Sequence, residues 1–384
     1  MAEMLMRTEQ RQWTHFRSWE PESSASMSES AQLVILFGAT SVLKARYLID
    51  QVKTAYPNAH IFGCSTAGEI IGDRVSDDTL VSTAIHFEHT RVSGGRIRLT
   101  QTENSFHAGK MLAQLLDPEN LTHVMVLSDG LAVNGSELVR GLVQYLPEHV
   151  TVTGGLAGDG DRFGETLTFW DSMPEKDTAA VLGLYGNRLK VGYGSMGGWD
   201  PFGPERLVTR SDGNVLYELD GNSALALYKK YLGEYASELP VTGLYFPLSV
   251  RTATGETRGV RSILAVCEED QSLRFAGDIP QGAYVRLMKA NIDRLIDGAV
   301  GAAETCYRDV GSISPELAVL ISCVARKRVL RQQVEEEVES VHNILGDRTT
   351  LTGFYSYGEI SPLTPGGKCE LHNQTMTITT FSET

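Results

Sequence analysis

"AHIFGCSTAGEI" occupies residues 59–70, and "VTVTGGLAGDG" occupies residues 150–160. Each begins as an apolar run of strand length and ends in a cluster of small residues. Upstream of the first lie "LVILFGAT" (33–40), a buried-strand pattern, and "SVLKARYLIDQVKTAYP" (41–57). In the latter, Leu43, Tyr47, Leu48 and Val52 recur at helical spacing. Upstream of the second lie "VMVLSDGL" (124–131) and "NGSELVRGLVQYLP" (134–147). Asn134 is a helix-capping residue there, with Glu137 three positions on. Gly63 and Gly154 are 91 apart (154 − 63), and Leu33 and Val124 share that offset, so strand, helix and turn align without a gap.

The match extends downstream. "LVSTAIHFEHTRVSGGRIRLT" (80–100) reads as two strands around a Gly-Gly turn, and "TAAVLGLYGNRLKVGYGS" (178–195) as two strands around a Gly-Asn turn. The second copy has an insertion before its hairpin. The expected fold is therefore α/β: a two-part protein with mixed sheets flanked by helices, its N-terminal part a strand–helix–strand–hairpin duplication. The expected divisions are an N-terminal extension (1–30), a duplicated domain (31–220) and a second domain (221–384).

In the second half, "LAVLISC" (317–323) reads as a buried strand. Leu330, Val334, Val338, Val341 and Leu345 then form one apolar helical stripe. The last run, "ELHNQTMTITTFSE" (370–383), alternates as a strand. That alternation puts Leu371, Asn373 and Thr375 on one face and His372, Gln374, Met376 and Ile378 on the other.

Composition narrows the function. The chain of 384 residues carries 34 basic and 48 acidic side chains, a formal charge of −14 that repels phosphate backbones. The one basic cluster, "RKRVLR" (326–331), is soon followed by "EEEVE", so no nucleic-acid partner is expected. Five dispersed cysteines, without a C-x-x-C, fit a reducing cytoplasm and exclude c-type haem attachment by the usual motif. No apolar run reaches membrane-spanning length, and the first twenty residues lack the apolar core of a secretory signal. "GYGSMG" (192–197) matches a dinucleotide fingerprint literally, but "GWDPFGPER" after it cannot start the helix that motif needs.

Both small-residue turns end a strand, where open α/β sheets bind ligands. If the two copies pack about a pseudo-two-fold, the turns face one pocket. Candidate ligand-binding residues are Gly63, Cys64, Ser65, Thr66 and Glu69 from the first turn, and Gly154, Gly155 and Asp159 from the second. Gly and Ala there also merely permit tight geometry.

"IFGCSTAGEI", "VTGGLAGDG", "FAGDIPQGAYVRL", "ISCVAR", "GFYSYGEISP" and "ELHNQTMT" together resemble the FIST family, FIST N region first and FIST C second, over about residues 31–381. The resemblance implies a bacterial cytoplasmic sensor that binds a small ligand and signals to a separate protein. Chains of this length resemble the NosP-type members. Those imply a haem b held by a histidine, nitric oxide as ligand and a histidine kinase as partner. His372 is the expected iron ligand, with His107, His123, His342 and His15 as other candidates. The competing expectation is a haem-free module for an amino-acid-like metabolite, adding Tyr355, Tyr357, Glu359 and Asn373 to the pocket. An enzyme using Cys64 or Ser65 is a third class. No catalysis is expected, because no histidine is tied to either by a recognisable spacing.

Overall fold

The computed structural model describes residues 5–21, 26–255, 257–309, 314–364 and 366–384. The first unit contains β1 (Met6–Thr14), β2 (Leu33–Gly38), α1 (Arg46–Ala55), β3 (His60–Ser65), β4 (Glu69–Ile71), β5 (Leu80–Phe87) and β6 (Arg91–Arg98). β2 is buried at all six positions, while α1 turns Leu48, Ile49 and Val52 inward. Truncating one such side chain, as in Leu48→Ala, removes roughly 2–5 kcal/mol.

The second unit contains α2 (Ser105–Gln114), β7 (Leu121–Ser128), α3 (Gly135–Gln144), β8 (Thr151–Leu156), β9 (Thr168–Trp170), β10 (Thr178–Tyr185) and β11 (Leu189–Met196). Asn134 caps α3 as its sequence implies, accepting from the Ser136 and Glu137 N–H groups at 3.0 and 3.3 Å.

A module then interrupts the pattern. It runs from β12 (Trp199–Asp212) through α4 (Ala224–Leu232) to β13 (Tyr284–Ala290), and its eight strands enclose a core that includes Val208, Leu216, Tyr228, Leu273 and Phe275. The chain returns through α5 (Ile292–Asp309), β14 (Leu317–Cys323), α6 (Val324–Leu330), α7 (Val334–Leu345), β15 (Thr350–Ser356), β16 (Gly358–Pro362), β17 (Cys369–His372) and β18 (Met376–Glu383).

This last stretch is a third copy of the unit. Each copy has a parallel pair, β2/β3, β7/β8 or β14/β15, flanked by an antiparallel strand, β5, β10 or β18. Register identifies equivalent positions: Gly63 lies opposite Leu36, Gly154 opposite Val126 and Gly353 opposite Leu320. At all three glycines a Cβ would fall within 2.0 Å of the partner's carbonyl oxygen, so the close approach of the paired strands requires glycine. Pairing also corrects the gapless alignment. Leu36 and Val126 are 90 apart (126 − 36) while the turns are 91 apart, so the connection between them absorbs one residue.

The outer strands are exchanged in a ring. β4 leaves the first unit to pair with β15; β9 leaves the second to pair with β3; β16 leaves the third to pair with β8. On the opposite side β6 pairs with β10, and β11 with β18. The chain-terminal strand β1 takes the remaining place, beside β5. The two expected hairpins are therefore not formed. Both sides of β5 are occupied by β1 and β2, so β6 crosses to the next unit, and Gly94–Gly95 lie inside β6 rather than in a turn.

Two further expectations are revised. The apolar stripe is carried by two helices, because Arg331 adopts φ 52° between α6 and α7, yet Leu330, Val338, Val341 and Leu345 are all buried. The last strand breaks at Gln374, φ 68°, which separates His372 on β17 from Met376 on β18.

Gly154→Ala should destabilise the chain by about 3 kcal/mol or more, because its φ of 152° is strained for alanine and the Cβ meets Val126 O at 1.9 Å. Gly72→Ala, at φ 57° with open space around it, should cost about 1–2 kcal/mol. Urea midpoints compare the two, and equal losses would contradict this account.

Candidate functional site

The strand-end turns of the three units lock together. The Ala67 N–H donates to Tyr355 O at 2.8 Å, the Gly158 N–H to Ser65 O at 3.0 Å, and the Tyr357 N–H to Leu156 O at 3.1 Å. The donors occupy equivalent positions in their units, as do the acceptors, so the bonds close a cycle. The Tyr355 N–H also donates to Gly68 O at 2.8 Å, doubling the link between the first and third units.

Next to that junction lies a cleft of about 610 Å³. Thr66–Glu69, Asp77 and Asp78 come from the first unit; Gly160–Arg162 from the second; Val324, Lys327, Arg328 and Arg331 from the third; Tyr245 from the inserted module. Lys327 Nζ donates to Ala67 O at 3.0 Å, pairs with Asp77, and sits 5.5 Å from the Tyr355 ring centroid. Arg328 pairs with Asp161. Arg162 and Arg331 reach the wall without an ion-pair partner among the described residues. The lining thus holds both signs of charge at close quarters.

The cleft marks a break in the internal symmetry. Ala39, Asp129 and Cys323 are equivalent: each N–H donates to a threonine carbonyl, of Thr79, Thr178 and Thr375 respectively. Four residues on stand Leu43, Val133 and Lys327. Leu43 is fully buried and Val133 packs against the core, so of these three positions only the third is charged.

Two carboxylates do follow the symmetry. Glu69 accepts from Thr66 Oγ1 three residues before it, and from the N–H and Oγ1 of Thr79 at 3.1 and 2.7 Å. Glu359 accepts from Ser356 Oγ at 2.6 Å, and from the N–H and Oγ1 of Thr375 at 3.0 and 2.9 Å. Burial pushes each up from 4.5 to about 7, against the opposing pull of those hydrogen bonds. Glu69 belongs to the cleft wall; Glu359 does not.

The wider comparison agrees with the motifs. Residues 32–222 match the FIST N domain and residues 224–362 the FIST C domain. The chain belongs to the FIST family. FIST domains are associated with small-ligand sensing and signalling. The "Uncharacterized protein MJ1623" of Methanocaldococcus jannaschii is 26% identical to this FIST chain over 301 residues, covering 70% of the chain and 56% of that protein. The chain thus spans about half the length of that relative. The "Uncharacterized protein Rv0628c" of Mycobacterium tuberculosis is 24% identical over 380 residues and 91% of each chain. A cyanuric acid hydrolase from A. caulinodans superposes over 99% of each chain at 7% identity, but with a TM-score of 0.35, too low to bear on fold or activity.

Of the expected FIST site residues, Thr66 and Glu69 line the cleft. Ser65 and Asp159 support it from behind. Ser65 Oγ donates to Gly158 O and accepts from the Leu167 N–H, each at 2.7–2.8 Å. Asp159 accepts from the N–H groups of Phe163, Gly164 and Glu165, and from Tyr357 Oη. Tyr355 lies under Lys327, and Tyr357 stacks on Phe163 at 4.6 Å. Gly63, Cys64, Gly154 and Gly155 are inside strands. Asn373 reaches the inserted module, accepting from the Ser262 N–H at 3.5 Å. Among the cleft residues that sequence reading did not single out, Asp77, Asp78, Asp161, Arg162 and Tyr245 lie in segments without a motif, while Lys327, Arg328 and Arg331 lie in the one basic cluster. In sequence that cluster carries only a charge signal, which says nothing of the acidic loops it meets in the fold.

The five histidines considered as iron ligands lie away from this cleft. His372 is 2% exposed, and its Nε2 bonds Ser361 O at 2.8 Å. Its Nδ1 is buried without a partner, facing Gly259. It is not on the cleft wall. Both nitrogens of His123 are held by Thr151 and Thr153 hydroxyls at 2.7 and 3.1 Å. His107, His342 and His15 are also absent from that wall. Among the described residues no helix is long and apolar enough to cross a membrane.

Stability should depend on pH through two opposed sets of groups. The carboxyls raised to about 7 stabilise fully below 4.5 and lose that contribution as pH rises through 7. Burial lowers His372 to about 4 and His123 to about 3, so their contribution is complete above 6.5 and is lost as pH falls through those values. Between about 4.5 and about 6.5 the two trends oppose. Glu69→Gln removes one carboxyl, and urea midpoints measured across that range should then climb more steeply with pH than in the parent chain. An identical profile would show that Glu69 is not held near 7.

Proposed function

We propose that this FIST chain senses a small zwitterionic metabolite of the amino-acid class, bound without haem in the cleft between the first and third units. The observation carrying this reading is the opposed charge of the lining: Lys327, Arg328, Arg331 and Arg162 for a carboxylate, Asp77 and Asp78 for an ammonium. The cleft's volume lies within the range typical of small-molecule pockets, roughly 300–1,000 Å³. Both turns singled out by sequence contribute backbone or side chains to the wall, and Tyr245 adds an aromatic surface.

Binding rather than catalysis is supported by the state of the candidate nucleophiles. Burial pushes the Cys64 thiol well above its ordinary value, which disfavours the reactive thiolate. The Ser65 hydroxyl is committed to two backbone groups. The bound state would act on a separate signalling protein, with a histidine kinase the class implied by family resemblance. Nitric oxide on haem b is the less supported ligand, since none of the five candidate histidines borders the cleft.

Calorimetric titration with each of the common L-amino acids tests the reading. At least one should bind, and Lys327→Met or Arg328→Met should weaken it about tenfold or more, the loss expected for a charged hydrogen bond. No binding by any of them would overturn it. Haem b added to the purified protein should give no Soret band that depends on His372. A sharp band that moves with nitric oxide and changes in His372→Ala would restore the haem reading instead.

A further inference from the structure

The inserted module leaves the core at Gly197–Gly198, directly after β11, and returns at the start of α5. The two crossings touch. A Cβ on Gly198 would meet Arg294 O at 2.2 Å, and one on Gly298 would meet Gly197 O at 1.8 Å.

One side chain holds both crossings. Arg326 is fully buried on α6; its Nη1 donates to Gly197 O at 3.0 Å and its Nη2 to Leu295 O at 2.6 Å. Its Nε donates to Glu337 Oε2 at 2.7 Å. The other Glu337 oxygen accepts from Ser322 Oγ and Tyr355 Oη, both at 3.0 Å. Arg326 also directly precedes Lys327 and Arg328, two of the cations of the cleft. A continuous path thus runs from Lys327 over the Tyr355 ring to Glu337, then through Arg326 to the exit and return of the module.

We propose that Arg326 is a positioning residue that transmits displacement of α6 at the cleft to the orientation of the inserted module, 199–290. This rests on the cleft being the ligand site, and it assigns the module as the part of the protein that moves when the site is occupied. The module is suited to that part. It carries Tyr245 to the cleft wall, and the core holds it from two sides, through Gln374 and Asn373 on one and through Asn134 and Ser136, both bonded to Asp278, on the other. Gln374 Nε2 donates to Leu244 O and Ser262 Oγ at 3.2 and 2.7 Å. A planar guanidinium that bonds two backbone carbonyls and a carboxylate shifts all three together, which a flexible ammonium does not.

The coupling is measurable without any ligand. Spin labels are placed at Asp50→Cys on α1 and Lys230→Cys on α4, with Cys267 and Cys369 replaced by serine, and their separation is read by pulsed electron resonance. Lys327→Met frees α6 from Ala67 and Asp77. It should move the mean separation by more than about 2 Å, the scale of a domain rearrangement. In the Arg326→Lys background, which keeps a cation for Glu337 but not the fork, the same change should move it by less than that. No shift with Arg326 present, or an equal shift in both backgrounds, would overturn the proposal. Should Arg326→Lys fail to fold, Arg326→Met with Glu337→Met removes both buried charges together and takes its place. An amino-acid screen that fails while this coupling holds would count against the binding reading alone.

Discussion

Three backbone hydrogen bonds, Ala67 to Tyr355, Gly158 to Ser65 and Tyr357 to Leu156, hold the ends of three parallel strands in a ring. The groups lie away from water, where an unpaired N–H or C=O is costly. Each bond joins a different pair of units, so no unit can satisfy its own turn. The exchange of outer strands follows the same logic, and so does the glycine opposite each central strand. The small residues of these turns, Ala67 and Gly158 among them, are there to let the backbones approach.

The cleft follows from how that ring departs from symmetry. Three equivalent positions exist after the central strands. One is filled by Leu43, one by Val133, and the third carries Lys327 with Arg328 beside it. Leu43 lies in the core and Val133 packs partly buried against it, whereas Lys327 stands on the wall of the cleft. The Glu69 and Glu359 pair shows the same division of labour. Both carboxylates have partners at equivalent positions, Thr66 and Thr79 for Glu69 and Ser356 and Thr375 for Glu359, but only Glu69 borders the cleft.

The polar row of the last strand has a structural explanation too. Asn373 and Gln374 fasten the inserted module to the core, and His372 bonds a neighbouring carbonyl. Residues of that kind, dense and buried, resemble a binding site in sequence because both uses need hydrogen-bonding side chains in fixed places. Buried Arg326 extends the same contact between module and core, and does so next to the cleft cations.

The sequence by itself determined the repeated strand–helix–strand–turn element, the cap at Asn134, the buried stripe on α6 and α7, and the family. Each of these depends on local periodicity or on short motifs, which a chain carries without reference to its partners. It pointed to Thr66 and Glu69 for the same reason. Only the tertiary structure decided that there are three units rather than two, because a module of about ninety residues separates the third from its relatives and pairing rather than identity reveals it. β1 was invisible as a strand: "MRTEQRQWT" looks polar because Thr8, Gln10 and Gln12 use their side chains to hydrogen-bond Thr350, Leu351 O and Ser76, contacts that no local pattern reveals. The missing hairpins and the cleft cations share one cause. Which strand a segment pairs with, and which loops meet at a junction, depend on contacts between residues far apart in the chain, such as Lys327 with Asp77.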